Sequence, residues 1–184
     1  MKKRGEISVF LILLLPVLSS FLIALIMNVR ILVSRSEAAY AVDNAVMSCF
    51  AEYNKAVYSQ FGILLIDSSY KSTDGGVDRV AEHFSTYLEN SMSTNTVCDV
   101  HIDAVPVTDE YLYDAAVRYV EDCEEEDDIN PISRFRDAVT DHARMNGSPG
   151  FDWNECFSRI SFSVDLMDTA GNAYKVTREF SYEE

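Results

Sequence analysis

The sequence predicts an α+β fold: a long N-terminal transmembrane and spine helix packed against a small antiparallel sheet, with additional helices. Three features carry this expectation. Ile7–Met27 is a run of 21 residues without a charge. Beyond it, Val42, Ala45, Val46, Cys49, Phe50, Tyr53 and Val57 recur at the i, i+3/i+4 spacing of one helix face. Near the C-terminus, two segments alternate apolar and polar residues about a Gly-containing loop, as an antiparallel pair with one buried face does.

The charge is unevenly spread. The chain has 184 residues, with 15 Lys+Arg against 30 Asp+Glu and a formal net charge of −15. Lys2, Lys3 and Arg4 stand against only Glu6 at the start, and the residues from Asn28 onward hold 12 basic and 29 acidic side chains. A basic tip (residues 1–6) is thus joined through a neutral run (7–27) to a strongly acidic body. That body is unsuited to nucleic acid, whose phosphates require clustered Lys and Arg. A hydrophobic content of 48% rules out a disordered chain and supplies one folded domain.

The uncharged run spans roughly 30 Å as a helix, about the hydrocarbon thickness of a bilayer. A globular helix of that length would show a polar face, and this one has none. The three basic residues ahead of it outweigh Arg30 and Arg35 behind it, so the positive-inside rule predicts a cytoplasmic N-terminus and an extracellular body at the cell membrane. The run is longer than a secretory signal's apolar region, and the A-x-A-like Ala39-Tyr40-Ala41 falls inside a helical pattern. Pro16 removes one helical hydrogen bond and predicts a kink, with Ser19 and Ser20 placed to relieve the freed carbonyl. No Pro or Gly interrupts residues 17–61. One continuous rod from about Ser8 to Ser59 is expected, its extracellular half covering 28–61 and ending at Gly62.

Residues 62–184 form the acidic α+β body. Gly62–Asp67 reads as a short buried strand and Ser68–Gly76 as a loop. Val77, Val80, Phe84, Tyr87 and Leu88 mark an amphipathic helix over Val77–Ser91. Val97–Val105 alternates as a half-solvated strand, with Cys98, Val100 and Ile102 inward and Asp99, His101 and Asp103 outward. Asp109 is placed to cap a helix through Val120, and Pro131 to open another through His142. Ile160–Leu166 and Tyr174–Tyr182 then form a hairpin around Asp168–Asn172. Strand order is not readable.

The opening Gly5-Glu6-Ile7-Ser8-Val9-Phe10-Leu11-Ile12-Leu13-Leu14-Leu15-Pro16 resembles that of the TadE/TadF-like minor pseudopilins of the Tad (type IVb, tight-adherence) pilus system. Gly5, Val9 and Pro16 match at the family's spacing. The segments Val46–Lys55 and Tyr58–Asp67 are similar to a divergent Gram-positive branch, so the likeness covers about the first 67 residues. It implies a pilin-like structural subunit whose partners are the membrane, other pilin-like subunits and the assembly platform. It also implies a processing site at Gly5-Glu6, where a prepilin peptidase would remove the leader 1–5. The family places a Glu after the Val; here Phe10 stands there, and the nearest acid is Glu6.

The remaining residues point to few sites. Four cysteines allow three full pairings. Cys49 and Cys98 read as small buried hydrophobes, and Cys123 and Cys156, flanking loops, as the disulfide candidates. No C-x-x-C spacing suggests zinc, and the acidic run Glu121–Asp128 lacks the spacing and glycine of an EF-hand, so a solvated helix end is expected rather than a metal site. His83, His101 and His142 are scattered, and no nucleophile elbow or phosphate loop occurs. Neither an enzyme nor a cofactor is expected. Arg178, on the apolar hairpin face, is expected to snorkel or to meet an acid. The alternative to a pilus subunit is a single-pass anchored domain that binds a ligand or cation outside any filament.

Overall fold

The structure, a computed structural model, describes residues 3–93, 95–122 and 130–182. It is α+β: five α-helices and one small antiparallel sheet, with the N-terminal helix extending well beyond the domain. That helix, α1, runs unbroken over Lys3–Phe50 with Pro16 inside it. Its residues 10–30 are exposed on every side, whereas Ala38, Ala41, Val42, Ala45, Val46, Cys49 and Phe50 form a buried stripe. Alanine at three of those positions lets the backbone of α1 sit close to its neighbours.

The spine does not continue to Ser59. It breaks over residues 51–54, and a separate helix α2 follows at Lys55–Phe61. Asn54 causes the break. Its side chain accepts hydrogen bonds from the amides of Ala56 and Val57, and its own amide donates to the carbonyl of Leu65. An Asn in extended geometry thus starts a new helix more favourably than it extends the old one. Gly62, in the left-handed region at φ 70°, closes α2.

The body is assembled around β3 (Cys156–Met167), the central strand. The strand β2 (Thr96–Pro106) lies antiparallel on one side. The other side pairs with β4 (Ala173–Ser181) over most of its length and with the two-residue β1 (Ile66–Asp67) at its start. Only the end of the Gly62–Asp67 run is therefore strand. Along β3, Ile160, Phe162, Val164 and Leu166 are buried beneath α1, and Ser161, Ser163 and Asp165 face outward. The helix α3 (Val77–Ser91) adds Val80, Phe84 and Leu88 to the same core. Rings at the centre meet closely: Phe84 stacks on Phe162 at 4.6 Å, and Phe50 lies 4.2 Å from Phe180.

A second core stands beside the first. There α2, α4 (Asp109–Asp122) and α5 (Pro131–Met145) bury Val57, Leu112, Ala116, Phe135, Val139 and Ala143. Thr108, not Asp109, caps α4: its hydroxyl accepts from the amide of Tyr111, and Asp109 lies inside the helix, paired at 2.7 Å with Arg136. The loop 68–76 is tied to the 148–155 segment. Ser68 donates to the carbonyl of Glu155, and a side chain at Gly150 would come within 2.4 Å of the Ser72 carbonyl oxygen.

One strand face departs from expectation. Cys98 is exposed, because a bulge between Val97 and Asp99 places it opposite no residue of β3. Val97 replaces it inward, followed after the bulge by Val100, Ile102 and Ala104.

The closeness of the α3–sheet contact sets a measurable expectation. Phe84→Ala removes a fully buried ring stacked on Phe162 and should lower unfolding stability by about 3–5 kcal/mol. Denaturant melts of the two proteins in matched lipid particles measure the difference. A loss under 1 kcal/mol would contradict this packing.

Candidate membrane helix and assembly face

The first half of α1 is a cylinder of apolar side chains with nothing packed on it. Phe10, Ile12, Leu13, Leu15, Val17, Phe21 and Met27 are each more than half exposed, and the pattern continues through Val29, Leu32 and Val33. The helix is long and apolar enough to cross a membrane. Leaving so much apolar surface in water is costly, at roughly 25 cal/mol per Å². Pro16 sits inside the helix without ending it, and the hydroxyl of Ser20 donates to the carbonyl of Val17, not to that of Ile12, which Pro16 leaves free. Gly5 and Glu6 lie within the helical backbone of the first turns.

Just beyond the apolar cylinder, α1 is clamped to the body. The hydroxyl of Ser34 donates to Oδ1 of Asn95 at 2.9 Å, and the Asn95 amide returns a bond to the Ser34 carbonyl at 2.9 Å. The Tyr174 hydroxyl also donates to that Oδ1, at 3.1 Å. One residue on, Arg35 reaches Oδ2 of Asp168 at 3.0 Å and lies over the Tyr174 ring. The Asp168 side chain is fully buried, and its other oxygen accepts from the amides of Asn172 and Ala170, which shapes the hairpin loop. The Asn172 amide, then its side chain, Arg35 and the Ala170 amide hold the Asp168 carboxyl down at about 2.

Two more polar ties follow up the helix. Asp43 meets Arg178 of β4, which explains the lone basic residue on the apolar hairpin face: it pairs with an acid of the spine. At the break, Glu52 accepts from the Tyr87 hydroxyl at 2.7 Å and lies 3.0 Å from Nδ1 of His83. That hydrogen bond to Glu52, aided by burial, pushes the Tyr87 hydroxyl up to about 12. The sequence flagged Arg178 as a residue that could meet an acid but named neither partner set, because the partners lie 31 to 135 positions apart.

The side of α1 turned away from the body remains uncovered. Val33, Tyr40 and Met47 are all more than half exposed. A depression of about 420 Å³ between α1 and the end of α3 is lined by Val33, Ser36, Glu37, Tyr40, Asn44 and Ser91, among others. This stripe continues the exposed apolar surface of the lower helix onto the domain.

The other predicted positions are placed as follows. Cys49 lies in the first core, where burial and then Glu52 push its thiol up to about 12. Cys156, at the start of β3, is a buried free thiol raised well above its ordinary range by burial, then by Asp67, Asp152 and Glu155. Its proposed partner Cys123 lies outside the described residues, as does the acidic run apart from Glu121 and the backbone of Asp122. Asp165 and Asp168, which flank the hairpin loop, are engaged by Lys175 and Arg35. Among the described residues, no group of three or more His, Cys, Asp or Glu side chains is arranged to hold a metal ion. Comparison of the chain with protein-family models, curated proteins and solved structures found no match.

The clamp has a definite pH signature. A carboxyl held near 2 in the folded chain, against an ordinary 3.8, favours the fold fully above the ordinary value. That contribution is lost as pH falls from about 4 toward 2. Amide hydrogen exchange at Ala170 and Asn172, corrected for intrinsic rates, should therefore accelerate across this window. In Asp168→Asn the loop should already be fast at pH 6 and show no such step. Identical profiles in the two proteins would remove Asp168 from the clamp.

Proposed function

We propose that this chain is a structural, non-enzymatic, membrane-anchored subunit of a Tad-type pilus or a related secretion assembly, of the minor pseudopilin kind. One observation carries this. A single helix is apolar and uncovered on all sides in its first half, then supplies the buried stripe of a small antiparallel-sheet domain in its second. A simple anchor needs only the first half; a subunit that must leave the bilayer as one rigid body needs both. The Gly5, Val9 and Pro16 spacing of the opening residues supports the same reading, as does the exposed stripe Val33–Tyr40–Met47.

In this role the physics is packing rather than chemistry. Lys2, Lys3 and Arg4 hold the N-terminus on the cytoplasmic side. The apolar cylinder stays in lipid until the helices of other pilin-like subunits replace the acyl chains around it. The acidic domain stands outside the cell and meets neighbouring subunits. A prepilin peptidase is the partner implied at Gly5-Glu6.

Two measurements test this. Intact mass of the chain isolated from its native membrane should correspond to a start at Glu6. In a Cys98→Ser background, which removes the exposed native thiol, Tyr40→Cys on the uncovered stripe should give crosslinks to neighbouring subunits with a short bifunctional thiol reagent, whereas the same change at Thr86 on the outer side of α3 should not. A chain that keeps Met1 and forms no Tyr40→Cys crosslink is a solitary anchored domain, and the proposal fails.

A further inference from the structure

We infer that a cleft in the domain binds a neutral saccharide. The cleft holds about 860 Å³, within the range of small-molecule sites. It lies between α2, α4 and the sheet, and its lining residue Tyr182 is bonded to Phe50 at the end of α1.

Its chemistry is two-fold. Along the inside, Phe61, Phe135 and Tyr119 pack edge to face at 5.5–5.8 Å, and Tyr111 and Tyr182 extend the aromatic lining. The hydroxyls of these last two donate to the carbonyls of Leu64 and Phe50, which fixes their rings in place. Phe135 is buried behind the others, and the half-buried rings of Phe61, Tyr111, Tyr119 and Tyr182 are the aromatic surface that the C–H side of a sugar ring would meet, already fixed and so with little further loss of entropy. Around the mouth stand Gln60, Glu110, Asp114, Arg118 and Arg159. Three of them, Glu110, Asp114 and Arg118, follow one another at i, i+4 and i+8 on α4, so their side chains share one edge of the cleft.

The charge balance selects among ligands. The mouth carries two carboxylates and two guanidinium groups, and Glu179 lies 3.9 Å from Arg159, so neither a phosphate nor a polycation meets a field of one sign. A neutral polyol uses both kinds of group, giving hydroxyl protons to the acids and accepting from the guanidiniums and Gln60. Aromatic faces combined with planar donors and acceptors of both signs suit a ring that is apolar on its faces and hydroxylated at its edges. This site is independent of whether the chain enters a filament.

The test uses the full chain in lipid nanodiscs, free of glycoside detergent, on an array of neutral and anionic glycans. The best neutral binder, with chitotriose and maltotriose as fixed probes, is then titrated by saturation-transfer NMR. Saturable binding of at least one neutral oligosaccharide is expected. Asp114→Ala and Arg118→Ala, both at exposed positions, should each weaken it about tenfold, as the loss of one charge-assisted hydrogen bond does. Tyr40→Ala, on the spine, should leave it unchanged, and far-UV circular dichroism checks that all three proteins are folded. The inference is overturned if no array member binds, if only anionic glycans bind, or if both cleft variants bind as the parent does.

Discussion

A helix that is apolar all round cannot be buried by a domain this small, and the rest of the structure is organised by that constraint. The body covers α1 only from about Ser34 onward, along one stripe. Below that point no protein surface replaces water. The change falls within a turn or two, where Ser34 and Arg35 stop being lipid-like and become partners of the sheet. Everything above follows from having one fixed rod: α3 and β4 lie against it, its alanines share a core with the inner face of β3, and Phe50 at its end gathers Phe162, Phe180 and Tyr182.

Apolar packing alone would leave the rod free to slide or rotate over the sheet, because a row of alanines offers little to key against. The three polar ties remove that freedom. Arg35 and Asp43 on α1, and Glu52 just past its end, meet partners on three different parts of the body: the β3–β4 loop, β4 and α3. Arg35 and Arg178 are both about 40% exposed, so their direct contribution to stability is small. Their value is in register. A one-residue slip of α1 would move it 1.5 Å and turn it by about 100°, and would separate all three pairs at once.

Local periodicity made much of this legible. Val77–Ser91 and the hairpin strands appear where their spacing placed them, since helix and strand periods are local properties of the chain. Three misreadings have one origin. Asn54 depends on its amide reaching the Leu65 carbonyl, Thr108 on its hydroxyl receiving the Tyr111 amide, and Cys98 on a bulge in the β2–β3 register, and side-chain periodicity carries no record of these. The clamp and the Asp43–Arg178 pair were likewise invisible as pairs. Arg178 alone signalled its own oddity, by being basic on an apolar face. The cleft was hidden for a different reason: its walls come from four elements, and each wall residue looks ordinary on its own helix or strand.

The position of the clamp determines what the helix can transmit. Arg35 lies eight residues beyond Met27, about 12 Å along the axis, so the body is fixed to the rod close to where the apolar cylinder ends. Between these points there is no glycine and no proline, only helix. Any tilt or withdrawal of the apolar half must therefore carry the domain with it as a rigid body. Pro16 removes one hydrogen bond without breaking the helix, and it lies deep in the apolar half, 19 residues before Arg35. Bending there changes how the lower segment meets its surroundings without disturbing the contacts of α1 with the sheet. The acidic body is thus held at a set distance from the end of the apolar cylinder.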